Sequence, residues 1–142
     1  MTSEKGAPMK AMPEVTAIAD RGLEGDRYLR RAGYWTDVDE CHVTLIEAEH
    51  LDEIERETSV KVQNGEHRRN IVTRNIDLLG LDGRRFKVGA ATLVFDRPRP
   101  PCAYLASITD RRMTKALWNR GGICARVVEG GTIKPGDRIT VL

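Results

Sequence analysis

Prolines at positions 98, 100 and 101 constrain this chain more than any other feature in it. Each ring fixes φ and deletes a backbone N–H donor, and each pushes the residue before it toward an extended conformation. The stretch 96–105, DRPRPPCAYL, is therefore a stiff segment, and the apolar, β-branched run at 91–95 feeds it from a strand end. Cys102 follows the last proline directly, on a segment that also carries Arg97 and Arg99. The thiolate is the reactive form of cysteine, and neighbouring cations lower the thiol pKa toward neutrality. Cys102 is thus the candidate reactive residue. The competing assignment is a small buried hydrophobe, which is how a free cysteine usually serves.

At 142 residues the chain fits a single domain, 1–142, able to bury about 70% of the surface its unfolded form exposes. Lys and Arg total 23 against 21 for Asp and Glu, and a net charge of +2 is too small to draw in nucleic acid or a membrane surface. Neither partner is expected. The opening MTSEKGAPMK has no apolar core of a secretion signal, and no later run approaches the ~18 apolar residues of a membrane span. A soluble, cytoplasmic protein is the expectation. Cys41, Cys102 and Cys124 are odd in number and widely spaced, which reads as thiols and not as a disulfide framework. With His42, His50 and His67 they form no CxxC, HxxxH or HExxH spacing, so a zinc site has no support.

Taken in order, residues 14–19 alternate polar and apolar as a half-buried strand does. In GLEGDRY, residues 22–28, Gly22 and Gly25 can adopt φ > 0 and turn successive N–H groups inward around an anion, with Asp26 and Arg27 pairing or bracing the loop. A plain turn explains the same pattern. Residues 42–46 read as a strand and 47–57 as a helix, with Ala48, Leu51 and Ile54 on one face. Arg68, Arg69 and Asn70 stand just ahead of a strand at 71–73. Arginine presents a planar set of donors suited to phosphate or carboxylate, and asparagine adds one donor and one acceptor group. The alternative is that these arginines pair with acids such as Glu66 at the surface. Residues 84–88 and 91–95 suggest a hairpin about Gly89 and Ala90, and 112–119 a short helix ended by Gly121. The apolar run 122–128 is a buried strand in which Cys124 packs in the core and Arg126 shares its face, raising a charge pointing inside a barrel. Residues 129–132 read as a turn, Pro135 and Gly136 carry a type II turn signature, and 138–142 form a last strand. Many short strands with two or so short helices make a mainly β domain, a distorted barrel.

These segments together resemble the MOSC domain, the module named for the C-terminal part of molybdenum-cofactor sulfurases. The matching elements are GAPM at 6–9, GLEGDRY at 22–28, VTLIEAE at 43–49, RRNIVT at 68–73, LDGRRFKVG at 81–89, RPPC at 99–102 and RGGICARVVEGGTIKPGD at 120–137. Their order, more than any one of them, carries the likeness. The resemblance implies a β-rich, pyruvate-kinase-barrel-like fold and chemistry of sulfur or molybdenum. It implies that Cys102 carries a sulfane sulfur or ligates molybdenum, and that Arg68 and Asn70 hold the pterin of a molybdenum cofactor. Arg69, Arg27, Arg126 and the Gly25–Asp26 loop are further candidates for that cofactor. Small members of this kind are linked to reducing N-hydroxylated bases, which implies a small-molecule substrate and an electron-donor protein. The alternative is a sulfur carrier, charged by a cysteine desulfurase and without turnover of its own. Pyridoxal phosphate belongs to a separate sulfurase domain and is not expected here.

Overall fold

The computed structural model of the protein describes residues 12–24, 42–59, 69–98 and 121–142. Among the described residues the fold is mostly β. Its strands are β1 (Val15–Ile18), β2 (Gly22–Leu23), β3 (Val43–Glu47), β4 (Ile71–Thr73), β5 (Arg85–Val88), β6 (Ala91–Pro98), β7 (Ile123–Glu129), β8 (Gly131–Ile133) and β9 (Ile139–Val141), with one α-helix, α1 (Ala48–Thr58). A six-stranded sheet runs in the order β4-β3-β7-β6-β5-β9, and a three-stranded sheet in the order β2-β1-β8. The expected helix at 112–119 lies outside the described residues.

The alternation of side chains decides which face of each strand is buried. In β5, Arg85 and Lys87 are exposed while Phe86 and Val88 are buried. The same faces of β3, β6 and β7 bury Val43, Leu45, Leu93, Ile123, Ala125 and Val127, and the small sheet answers with Ala17, Leu23 and Ile133. One apolar core thus lies between the two sheets, which is the barrel-like arrangement the short strands imply. Thr44 and Ile46 are also almost fully buried, yet they stand outside that core cluster, on the other face of β3.

Residues 129–132, expected as a turn, instead hand the chain from one sheet to the other. β7 ends at Glu129 opposite Thr92, and after Gly130 the chain begins β8, which pairs with β1. Glycine makes the corner possible, because a Cβ on Gly131 would sit 2.5 Å from the carbonyl of Ala90. The turn at Pro135 and Gly136 is present, with Gly136 at φ +89°.

The strand pair β3–β4 is parallel, the other pairs antiparallel. A parallel pair needs a crossover, and α1 begins that connection. Its apolar face buries Ala48, Leu51 and Ile54, and the helix ends on Ser59 in the left-handed conformation, whose N–H donates to the Glu55 carbonyl. Asn75, just past β4, donates its N–H to Glu49 Oε2 at 2.9 Å and ties the start of α1 to that strand. No helix among the described residues is long and apolar enough to cross a membrane.

Candidate functional site

The strand feeding the proline segment is longer than its apolar run. β6 continues through Asp96 and Arg97 to Pro98, which ends it opposite Ile123. The register shifts between Phe95 and Arg97, so Asp96 is accommodated as an irregularity and Arg97 is the residue facing Cys124. Proline is tolerated there because the strand is ending. Cys102, Arg68, Gly25, Asp26 and Arg27 lie outside the described residues. Arg69, Asn70 and Arg126 are described.

Strand pairing gathers several polar side chains into a row. Thr44 on β3 faces Cys124 on β7, which in turn faces Arg97 on β6. Asn70, at the head of β4, extends the row on the far side of Thr44. Residues directly opposite in a ladder share a face, and neighbouring strands stand about 4.8 Å apart. The row therefore runs from a carboxamide at one end to the strand leading toward Cys102 at the other.

Asn70 is the most tightly specified member. Its Oδ1 accepts from the Thr44 N–H at 2.9 Å and from the Thr44 hydroxyl at 3.0 Å. Its own N–H donates to the Thr44 carbonyl at 3.1 Å and to Thr44 Oγ1 at 2.9 Å. A main-chain N–H can only donate, so the amide oxygen must be the atom facing it, and Nδ2 must face the other way. That Nδ2 is buried and has no hydrogen-bond partner among the described residues. A buried donor left unmatched costs about 1–3 kcal/mol, which a ligand bringing an acceptor would recover.

Arg69 is buried, and its Nε donates to the Gly121 carbonyl at 2.7 Å. It pins the chain where it enters β7. The next residue, Gly122, has φ +84°, and a Cβ there would fall 1.9 Å from the Leu45 carbonyl oxygen. The backbone around the Thr44–Asn70 pair is therefore packed strand against strand.

Arg126 does not point inside the barrel. Its side chain is about half exposed, and its Nε lies 3.9 Å from Asp96 Oδ1, while Asp96 Oδ2 is paired with Arg97 Nη1. Keeping the charge at the rim avoids the several kcal/mol of desolvating an ion. Cys124 is fully buried as expected, but it is disulfide-bonded and not a thiol. Residue spacing carries no distance across a sheet, and the other two cysteines lie outside the described residues.

The opposite end of the β3–β4 pair is acidic. Burial raises the Glu47 carboxyl pKa above its ordinary value, against the lowering influence of His50, whose Nδ1 is 3.7 Å away, and of the Leu78 N–H. The Asn75 N–H holds Glu49 below its ordinary value. No group of three or more His, Cys, Asp or Glu able to hold a metal occurs among the described residues.

Sequence reasoning passed over Thr44. A threonine inside a β-branched run reads as a strand former, and only the register places it beside Asn70.

Residues 33–140 match the MOSC domain. No curated protein matches the chain. Among solved structures it is similar to the YUAD protein from Bacillus subtilis, with a TM-score of 0.78, 18% identity and coverage of 93% of this chain and 86% of that one. YiiM from Escherichia coli superposes at a TM-score of 0.68 with 19% identity over 99% of this chain and 67% of that one. YiiM from Geobacillus stearothermophilus does so at 0.64 with 22% identity over 72% of this chain. The chain spans about half, 54%, of that last protein.

Proposed function

The chain belongs to the MOSC domain family, and from that premise we propose that it binds a molybdenum cofactor and reduces N-hydroxylated or N-oxide compounds with it. The observation that supports this reading is the buried Nδ2 of Asn70, a donor turned away from Thr44 with no acceptor among the described residues. The donor set fits the group: a soft thiolate suits molybdenum, guanidinium groups suit a phosphate, and a carboxamide donor suits an acceptor atom of the pterin. When bound, the cofactor would supply a metal that changes oxidation state.

The protein's part is to hold and orient. Cys102 offers the sulfur ligand from the segment that follows β6. Asn70 donates from Nδ2. Arg68, with Arg27 and Arg126, balances the phosphate charge, the Gly25–Asp26 loop contributes N–H donors, and Arg69 fixes the chain at Gly121. Reducing a hydroxylamine to an amine and water consumes two electrons and two protons, so an electron-donor protein is part of the proposal, together with a small-molecule substrate.

The test is expression in a host that makes the cofactor, followed by molybdenum and pterin analysis of the purified protein. Metal and pterin in equal amounts are expected, with the metal lost in Cys102→Ser. Folded protein that carries neither would reject the reading.

A second reading is sulfur delivery, whose by-product is a disulfide of the kind Cys124 forms. A carrier persulfide is resolved when another thiol attacks it, leaving a disulfide and releasing the outer sulfur as sulfide. Here Cys102 would take its sulfane sulfur from a cysteine desulfurase. Mass spectrometry after incubation with desulfurase and cysteine decides it: a gain of about 32 Da on Cys102, one sulfur atom, is expected. An unchanged mass excludes it.

A further inference from the structure

Resting on the cofactor-binding reading above, we infer that Thr44 is a positioning residue. It locks the Asn70 carboxamide so that the site presents a hydrogen-bond donor there and selects a ligand with an acceptor atom at that point. A free asparagine amide is nearly symmetric in shape. Turning it by half a revolution exchanges a donor for an acceptor and would reverse what the site recognises.

Two features of Thr44 prevent the turn. Its N–H faces Asn70 Oδ1 at 2.9 Å, and a turned amide would set donor against donor. Its hydroxyl could in principle donate or accept, but it already accepts from the Asn70 N–H at 2.9 Å. The hydroxyl proton is left for Asn70 Oδ1, 3.0 Å away. A main-chain donor thus commits the hydroxyl, and the hydroxyl commits the amide. Thr44 is only 1% exposed, so bulk water does not compete for these bonds.

Three variants test the lock. Thr44→Val keeps the shape and removes the hydroxyl, Thr44→Ser keeps the hydroxyl, and Asn70→Asp keeps the acceptor and removes the donor. In protein from a cofactor-producing host, cofactor content relative to wild type is expected to fall about tenfold in Thr44→Val and at least as far in Asn70→Asp. In Thr44→Ser it stays within about twofold, since the hydroxyl is restored. The second readout needs no cofactor: ¹⁵N relaxation of the Asn70 side-chain amide in the apoprotein. The amide is expected to be rigid in wild type and Thr44→Ser, with its order parameter falling below about 0.6 in Thr44→Val.

An Asn70 amide equally rigid in wild type and Thr44→Val overturns the positioning role, whatever the cofactor content. So does a Thr44→Ser protein as empty as Thr44→Val. A wild type that carries no cofactor, but whose Asn70 amide loosens in Thr44→Val, removes the proposed function and leaves the lock standing.

Discussion

The two ends of the parallel pair β3–β4 are built from opposite materials. At the start, Thr44, Arg69 and Asn70 present donors, most of them committed to main-chain carbonyls or to each other, while the buried Asn70 Nδ2 and Arg69 Nη2 make no hydrogen bond among the described residues. At the finish, Glu47, Glu49, Asp52 and Asp77 present acceptors, with Arg74 3.5 Å from Asp52, His50 beside Glu47, and Glu49 Oε1 buried without a hydrogen bond among the described residues. A surplus carboxylate at a surface is matched by solvent at little cost. Glu49 already accepts the Asn75 N–H through its other oxygen, whereas the interior donor of Asn70 meets no acceptor among the described residues, and that difference marks the first end as the place to look for a ligand.

The largest expected effect tests whether the first end is as tightly built as it looks. Gly122→Ala puts a methyl group into the Leu45 carbonyl at a positive φ, and neither strand can move without breaking the β3–β7 ladder. A loss of more than about 4 kcal/mol is expected, seen as insoluble or unfolded protein. A thermal midpoint near that of wild type would show that the ladder has slack there. Arg69→Met comes next. It fills much of the same volume but leaves the Gly121 carbonyl without its buried donor, and about 2 kcal/mol should be lost in chemical denaturation.

How much of this could be seen in the residue order alone differs between the two ends. The helix at 47–57 needed only the three-residue spacing of Ala48, Leu51 and Ile54, and it appears at Ala48–Thr58. The β5–β6 hairpin needed only alternation and Gly89. These are local signals with a local cause. Arg69 and Asn70 stood out by residue type, but what they do depends on Gly121 and Thr44, 52 and 26 residues away along the chain. The commitment of Thr44 to Asn70 is a product of strand register, and register is set by the whole sheet. The outward turn of Arg126 escaped for the same reason, and the disulfide at Cys124 because spacing along the chain carries no distance in the fold. The extension of β6 to Pro98 did so too, because a proline reads as a stop while a closing strand position accepts one.

Asn70 allows the donor and the acceptor of one side chain to be separated. Asn70→Leu strips the Thr44 N–H of its acceptor and should cost about 1–3 kcal/mol, whereas Asn70→Asp retains the acceptor but buries a carboxylate oxygen in place of Nδ2, so its loss should be present at pH 7 and shrink at acid pH as the carboxyl is protonated. An Asn70→Asp protein as stable as wild type at pH 7, measured by urea denaturation, would mean that the Nδ2 position is open to water, and the contrast between the two ends would shrink.

The smallest effect belongs to the acidic end. Burial raises the Glu47 carboxyl above its ordinary value of 4.5 despite His50 and the Leu78 N–H, so the folded state binds a proton there more readily than the unfolded chain does. Between the unfolded and folded pKa values, stability falls as pH rises; above the folded value the whole cost of the buried charge is present, and below the unfolded value it is absent. Glu47→Gln removes the charge and still accepts from the Leu78 N–H. It should therefore gain stability at pH 7, within about 0.5 kcal/mol, and the gain should vanish as the pH drops below 4.5, the ordinary value. Thermal melts of both proteins at neutral and acid pH give the comparison. A Glu47→Gln protein less stable than wild type at pH 7 would mean that the pairing with His50 outweighs the cost of burial. In that case the acidic end, like the donor end, would be held together by its polar contacts instead of tolerating them.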